Sequence, residues 1–243
     1  MFNCKLICII YFTIHIFLIA QQYPEWFLHQ GKISCNELSV GYSKPGYYKD
    51  SVISYAFRNG CFNYVVNECL RIKGGQAFLT LETGTYWMGA KFEEYFDTAL
   101  VDQSASKLGI IDTFSSANIV AVLLSSRDCE LKEIYKKRSR VSVLPTPGWI
   151  NELPTDTGYL FAVGFSPEYF YETSSWMEAE RIARLNLARQ ILINIKSLQK
   201  MTNTDYQDLT NEEFFATLNN VSVIARWVDL KRKIYYVLLK MPY

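Results

Sequence analysis

The sequence predicts an α+β protein of two tandem two-layer modules, each a long helix packed on a small, mainly antiparallel sheet. Three observations predict it. Residues 24 to 63 return without a gap at 147 to 186, with 10 identities in 40 positions, where shared composition alone would give about two or three. The second copy reads in order as strand, long helix and strand hairpin, an order that leaves a helix lying across an antiparallel sheet. That helix is apolar along one stripe only, as a helix with one buried face must be.

The matches fall on residue types that fix backbone and packing. Pro24-Glu25-Trp26 returns as Pro147-Gly148-Trp149, and Val40-Gly41-Tyr42-Ser43 returns as Val163-Gly164-Phe165-Ser166. Tyr48, Ser51, Ala56, Arg58 and Asn63 match Tyr171, Ser174, Ala179, Arg181 and Asn186. A residue type retained at a fixed spacing marks a shared structural seat.

Residues 1–20 carry a single charge, Lys5, followed by an apolar stretch that ends in Leu18-Ile19-Ala20 before Gln21-Gln22. This is the build of an export signal cleaved after Ala20; left uncleaved, its length approaches the ~18 to 20 residues that a membrane anchor needs. Cys4 and Cys8 come too early to be lipidated after cleavage. The expectation is a chain exported to the periplasm or outer membrane, free or held by its signal.

The first module, residues 21–126, is the more divergent copy. Leu38 to Tyr42 reads as its strand and Ser51 to about Ile72 as its helix, although Gly60 within that helix costs about 1 kcal/mol relative to alanine. Gln76 to Glu82 and Tyr86 to Lys91 flank Thr83-Gly84-Thr85 as an inserted hairpin, and Phe92 to Val101 reads as a short helix. Gly109 to Phe114 and Asn118 to Ser126 close the sheet. Residues 127–146, charged and ending near Pro145, read as a linker.

In the second module, residues 147–243, Tyr159 to Phe165 has the aromatic and branched content of a buried strand. The following helix runs from about 174 to 200, with Ser175 and Glu178 at capping-box spacing. Its apolar stripe is Trp176, Ala179, Ala183, Leu187, Ile191, Ile195 and Leu198, with Arg181, Arg184, Arg189, Lys196 and Lys200 toward the other side. Phe214 to Leu218 reads as a helical turn. Val221 to Val228 and Lys233 to Met241 then form a hairpin around Asp229 to Arg232. Alternation puts Val221, Val223, Ala225 and Trp227 on one face, and Tyr235, Val237, Leu239 and Met241 on one face.

Lys and Arg number 25 against 24 Asp and Glu, and Lys5 leaves with the signal, so the processed chain is balanced. No general pull toward nucleic acid follows from that. The Lys136-Lys137-Arg138 run with Arg140 reads as a solvated linker face. Cys35, Cys61, Cys69 and Cys129 remain after processing. If Cys61 and Cys69 share a helix, eight residues at ~1.5 Å each put them ~12 Å apart, beyond bridging. Two full pairings then stay open, 35 with 61 and 69 with 129, or 35 with 69 and 61 with 129. Four free thiols are the other reading.

The repeated Pro24/Trp26 and Pro147/Trp149 fit a clamp of the entering chain onto a core, with Trp227 as a further packing residue. Gly41 and Gly164 fit a bulge or a close backbone approach. The loops between strand and helix carry Tyr47 and Tyr48 in one copy and Tyr169, Phe170 and Tyr171 in the other. These five aromatics are the candidate interaction residues, because recognition gathers on loops held by a rigid scaffold.

Catalytic chemistry is nearly absent. His29 is the one histidine left after the signal, no Cys-x-x-Cys or histidine pair offers a metal seat, and Glu93, Glu94 and Asp97 read as a solvated helix face. No cofactor and no enzymatic activity are expected.

The ordered set of Pro-x-Trp, Gly-x-Ser after a strand, the Ala- and Arg-rich helix, and Val223 to Asp229 followed by Tyr235 to Leu238 resembles the bacterial twenty-kilodalton outer-membrane lipoprotein (LPP) family. That family is related to the flagellar assembly proteins FlgP and the N-terminal domain of FlgT. The resemblance covers about residues 145 to 243, and residues 24 to 126 faintly; it implies a small non-catalytic α+β envelope domain. The missing lipidation cysteine and the tandem copy depart from it. The functional expectation is an envelope interaction or assembly module with protein or outer-membrane partners. The alternative is a module that binds cell-wall glycan or a small ligand through its aromatic loops.

Overall fold

In a computed structural model describing residues 22–33, 37–81, 84–126, 138–140, 145–202 and 213–243, each half of the chain runs strand, helix and closing hairpin. The export signal, Thr83, Cys35, Cys129 and most of the linker lie outside the described residues, as do the side chains of Ile195, Lys196, Leu198 and Lys200. The protein is α+β, with helices packed on small antiparallel sheets.

The first half begins with β1 (Gln22–Pro24) and the short α1 (Glu25–Leu28). It continues through β2 (Leu38–Ser43), α2 (Lys49–Glu68), the long hairpin β3 (Cys69–Leu81) and β4 (Gly84–Tyr95), and α3 (Ala99–Lys107). It closes with β5 (Leu108–Ser115) and β6 (Val120–Ser126). After β7 (Arg138–Arg140), the second half runs β8 (Tyr159–Pro167), α4 (Glu172–Thr202), β9 (Glu213–Asn219), β10 (Ser222–Asp229) and β11 (Ile234–Pro242).

The sheet order β2-β6-β5 in one half is matched by β8-β11-β10 in the other, with the last strand central in both. Both hairpins also carry a bulge, between Ile110 and Asp112 and between Val223 and Ala225. In each sheet the glycine of the first strand sits opposite a central-strand valine, Gly41 opposite Val122 and Gly164 opposite Val237.

Helix-on-sheet packing is equally parallel. A methyl group on Gly41 would fall 2.0 Å from the Ala56 carbonyl oxygen and 2.4 Å from the Gly60 nitrogen. On Gly164 it would fall 2.1 Å from the Ala179 oxygen and 2.2 Å from the Ala183 nitrogen. In both halves the helix backbone rests directly on the strand, which requires the strand residue to lack a Cβ. Gly60 is a milder case, since a side chain there would meet the end of the Leu124 side chain at 2.5 Å and the Gly41 nitrogen only at 3.2 Å. One amide seals each contact: the buried Asn63 donates to the Val40 carbonyl and the half-buried Asn186 to the Val163 carbonyl, both at 2.8 Å.

The two sheets bury their faces differently. The helix side of β2-β6-β5 packs Ala56, Cys61, Leu108, Val122 and Leu124 into a small cluster. Its other side, with Val40, Tyr42, Phe114, Ala121 and Leu123, joins the main core that includes Tyr23, Trp26, Phe27, Trp176, Tyr235, Val237 and Leu239. One core therefore runs through both halves. The third sheet, β4-β3-β9, joins them as well, because β9 pairs antiparallel with Cys69 to Gly75 of β3.

Several elements differ from expectation, each for a physical reason. Phe214 to Leu218 lies in a strand, because Ala216 and Leu218 alternate into the core while Phe215 and Thr217 face out beside β3. The first helix stops at Glu68 and Ile72 belongs to β3, where Leu70 and Ile72 enter the core at period two. Glu93 and Glu94 therefore sit on β4 and Asp97 in the turn after it, and the short helix starts at Ala99. The bulge at Ile224 breaks the alternation in β10: Val223 stands opposite Leu239, but Ala225 and Trp227 stand opposite Leu238 and Tyr236, on the other face. Arg184 is buried, not solvated. Arg138–Arg140, within the expected linker, pairs with Gln22–Pro24. The expected hairpin of the first half is present and longer than predicted, running from Cys69 to Tyr95.

Candidate functional site

The two strand-to-helix loops meet on one surface. β2 ends in Ser43, whose hydroxyl donates to the Lys44 carbonyl at 3.1 Å; β8 carries the matching bond, Ser166 to the Pro167 carbonyl at 3.0 Å. From the first loop the Lys44 ammonium sits 4.8 Å from the centre of the Tyr171 ring in the second. Tyr47 and Tyr48 stack edge-to-face at 5.2 Å, as do Phe170 and Tyr171 at 4.8 Å. Tyr47 is 95% exposed and Phe170 93%, with Tyr48, Tyr169 and Tyr171 also exposed. Each loop thus displays an exposed aromatic pair, and the two loops touch where the Lys44 ammonium meets the Tyr171 ring, a chemistry suited to stacking and cation–π contact.

A buried polar cluster lies under the loops. Arg226, on β10, and Glu180, on α4, form an ion pair at 2.8 Å with side chains 1% and 3% exposed. Arg226 also donates to the Phe27 carbonyl at 2.9 Å, the Gln30 side chain at 3.1 Å and the Tyr42 hydroxyl at 2.8 Å. Tyr42 in turn donates to Glu180, and the guanidinium lies 4.9 Å from the centre of the Phe27 ring. Burial opposes the Arg226 charge, but Tyr42 and Glu180 outweigh it and hold the group above its ordinary range. A second buried acid, Glu172, accepts from the Tyr23 hydroxyl and from the Trp176 indole at 3.1 Å. The two clusters tie the N-terminal segment, β2 and β10 to the first three turns of α4, and so fix both loops relative to each other.

Sequence reasoning missed these buried residues. Their signal was present: Arg226 is the one charge within Val221 to Val228, a run otherwise read as a core strand. Trp26 is fully buried and its indole donates to Asp112 at 2.9 Å, whereas Trp149 lies half-buried in a short 3-10 turn, Gly148–Ile150. Pro24 is buried and Pro147 only half so. Trp227 is buried beside Tyr236, ring centres 5.6 Å apart. Ser175 does not cap α4, which starts earlier at Glu172; it lies in the first turn and accepts from the Tyr169 backbone, while Glu178 pairs with Arg181. Cys61 and Cys69 carry free thiols, and Cys35 and Cys129, the partners each pairing would need, lie outside the described residues. Cys69 follows the helix and does not share it with Cys61.

His29 lies 3.8 Å from Glu25, and burial, followed by Lys32, lowers its pKa. Among the described residues no group of three His, Cys, Asp or Glu side chains could hold a metal ion, and no helix is long and apolar enough to cross a membrane.

The buried tyrosines make stability sensitive to alkali. Burial, and then for Tyr23 the Glu172 charge, raises Tyr23 and Tyr42 well above the ordinary tyrosine value of 10.0. Tyr235 shifts the same way, and burial pushes Tyr64 up to about 12. A group held above its unfolded value contributes fully below that value and loses its contribution as pH rises toward the folded one. The urea midpoint should therefore stay level from about pH 8 to 9 and fall from about pH 10 upward. Absorbance at 295 nm should show tyrosines that ionise only on unfolding.

The fold and its surface define a class: an α+β protein of two helix-on-sheet halves around one core, displaying paired aromatic loops. No protein-family model, curated protein or solved structure matches the chain.

Proposed function

We propose that this chain is a non-catalytic exported protein of the bacterial cell envelope that holds a partner on its paired aromatic loops. The observation carrying this reading is that Tyr47 and Phe170, the most exposed large side chains of the two loops, stand on loops joined by Lys44 and Tyr171. The signal-like residues 1–20 and the LPP-type order of motifs support it. The matched contacts at Gly41 and Gly164 support descent of both halves from one copied unit. In this reading the partner is an envelope protein or outer-membrane component.

Replacing Tyr169, Phe170 and Tyr171 together with alanine tests it. Such exposed changes should move stability by no more than about 0.5 kcal/mol each. Retention of envelope proteins from a detergent-solubilised fraction should drop to background. Equal retention by variant and wild type would defeat the proposal. A second reading, a glycan-binding module, is favoured by the ring faces left open at Phe170 and Tyr47. Loss of retention on immobilised cell-wall glycan, with protein capture unchanged, would select it.

A further inference from the structure

The arginine that recurs in both halves has different surroundings in each. In α4, Arg181 donates from Nε and Nη2 to the two oxygens of Glu178, at 2.9 and 2.7 Å. The position three residues before Arg58 in α2 holds Tyr55 where α4 has Glu178. Arg58 accordingly lacks that acid, and it makes no ion pair or hydrogen bond among the described residues.

What stands beside it is a groove. A space of about 700 Å³ opens between α2 and the start of α3, lined by Tyr55, Arg58 and Phe62 of α2 on one wall and by Phe96, just before α3, with Val101 and Asp102 of α3 on the other. Phe62 and Phe96 meet edge-to-face at 5.1 Å and pack against the main core, so the apolar floor is held in place. The groove is open to solvent and its lining is mixed, apolar at Phe62, Phe96 and Val101 and polar at Asn59, Thr98 and Asp102, which offers a packing surface for an apolar body beside a cation. A guanidinium fork matches a carboxylate in two-point geometry, and Arg181 shows the same helix position doing so. Asp102 on the far wall disfavours a ligand with a second negative charge.

We propose that this groove binds a small monocarboxylic acid with an aromatic or aliphatic body. Arg58 takes the carboxylate, in the role Glu178 fills for Arg181, and Phe62 and Phe96 take the body. The site lies further along α2 than the aromatic loops and does not depend on their function.

Titration of the full chain with phenylacetate, phenylalanine and phenethylamine, followed by calorimetry or ligand-observed NMR, tests the assignment. Phenylacetate and phenylalanine should bind; phenethylamine, which lacks the carboxylate, should not. Arg58→Gln should weaken both acids by about tenfold or more. Tyr55→Glu, which rebuilds the fork of the second half, should weaken them similarly with Arg58 still present. Both positions are exposed, so an unchanged thermal midpoint is expected and checks folding. The triple alanine variant of the loop residues should bind phenylacetate as the wild type does, which separates this site from the loop surface. The proposal is overturned if neither acid binds, if Arg58→Gln binds them undiminished, or if phenethylamine binds as tightly as phenylacetate.

Discussion

Arg226→Ala is expected to destabilise the protein by about 3–5 kcal/mol, because it leaves the buried Glu180 carboxylate uncompensated. The loss extends past the ion pair: the Phe27 carbonyl, the Gln30 side chain and the Tyr42 hydroxyl each lose a donor in a region closed to water. Urea unfolding should show the midpoint shift with little change in slope. Glu180→Gln alone should cost less, since an amide still accepts from Arg226. The double change Arg226→Ala with Glu180→Gln removes both charges. It should cost less than the two single changes combined, by a coupling of at least about 1 kcal/mol. An Arg226→Ala loss under about 1 kcal/mol would show that the cluster is not what holds the two halves together.

Gly41→Ala and Gly164→Ala should each cost about 3 kcal/mol, at the upper end of overpacking effects. The added carbon meets backbone atoms of α2 or α4 at 2.0 to 2.1 Å, and backbone cannot rotate away as a side-chain end can. Each helix must lift from its sheet, which strains the Asn63 or Asn186 bond to the strand. Equal losses at the two sites are the expected result, because the contacts are equal. A tolerated alanine at either glycine, measured by thermal and urea unfolding, would refute close helix–strand packing in that half. Gly109→Ala serves as a control near neutral, since nothing lies within 4 Å of its added carbon.

Much of this was readable from residue order. Gly41 and Gly164 recur because a Cβ does not fit against the helix backbone, and Asn63 and Asn186 because each bonds the carbonyl of the residue before that glycine. Tyr235, Val237 and Leu239 alternate cleanly because β11 is central and keeps one face on α4 throughout. Period-two reasoning failed in β10, where the bulge at Ile224 inserts one residue and moves Ala225 and Trp227 to the opposite face. The segment Phe214 to Leu218 failed for another reason. Its pairing partner, β3, lies more than a hundred residues earlier in the chain, and five residues carry no period long enough to separate strand from helix. The five loop aromatics were identifiable as surface candidates, but that their two loops touch is visible only in the contact between Lys44 and Tyr171.

Residue order alone determined the α+β class and the strand–helix–hairpin plan of both halves, because these depend on neighbours within one strand or one helix turn; it marked Gly41 and Gly164 by their repeat, while the helix lying against each is a tertiary contact. Tertiary structure alone decided that the halves share a core, that Arg226 and Glu180 pair inside it, and that Arg58 opens onto a groove while Arg181 is closed by Glu178. These outcomes turn on which distant side chains are brought within about 3–4 Å of one another, and that proximity belongs to the packed chain, not to the local pattern.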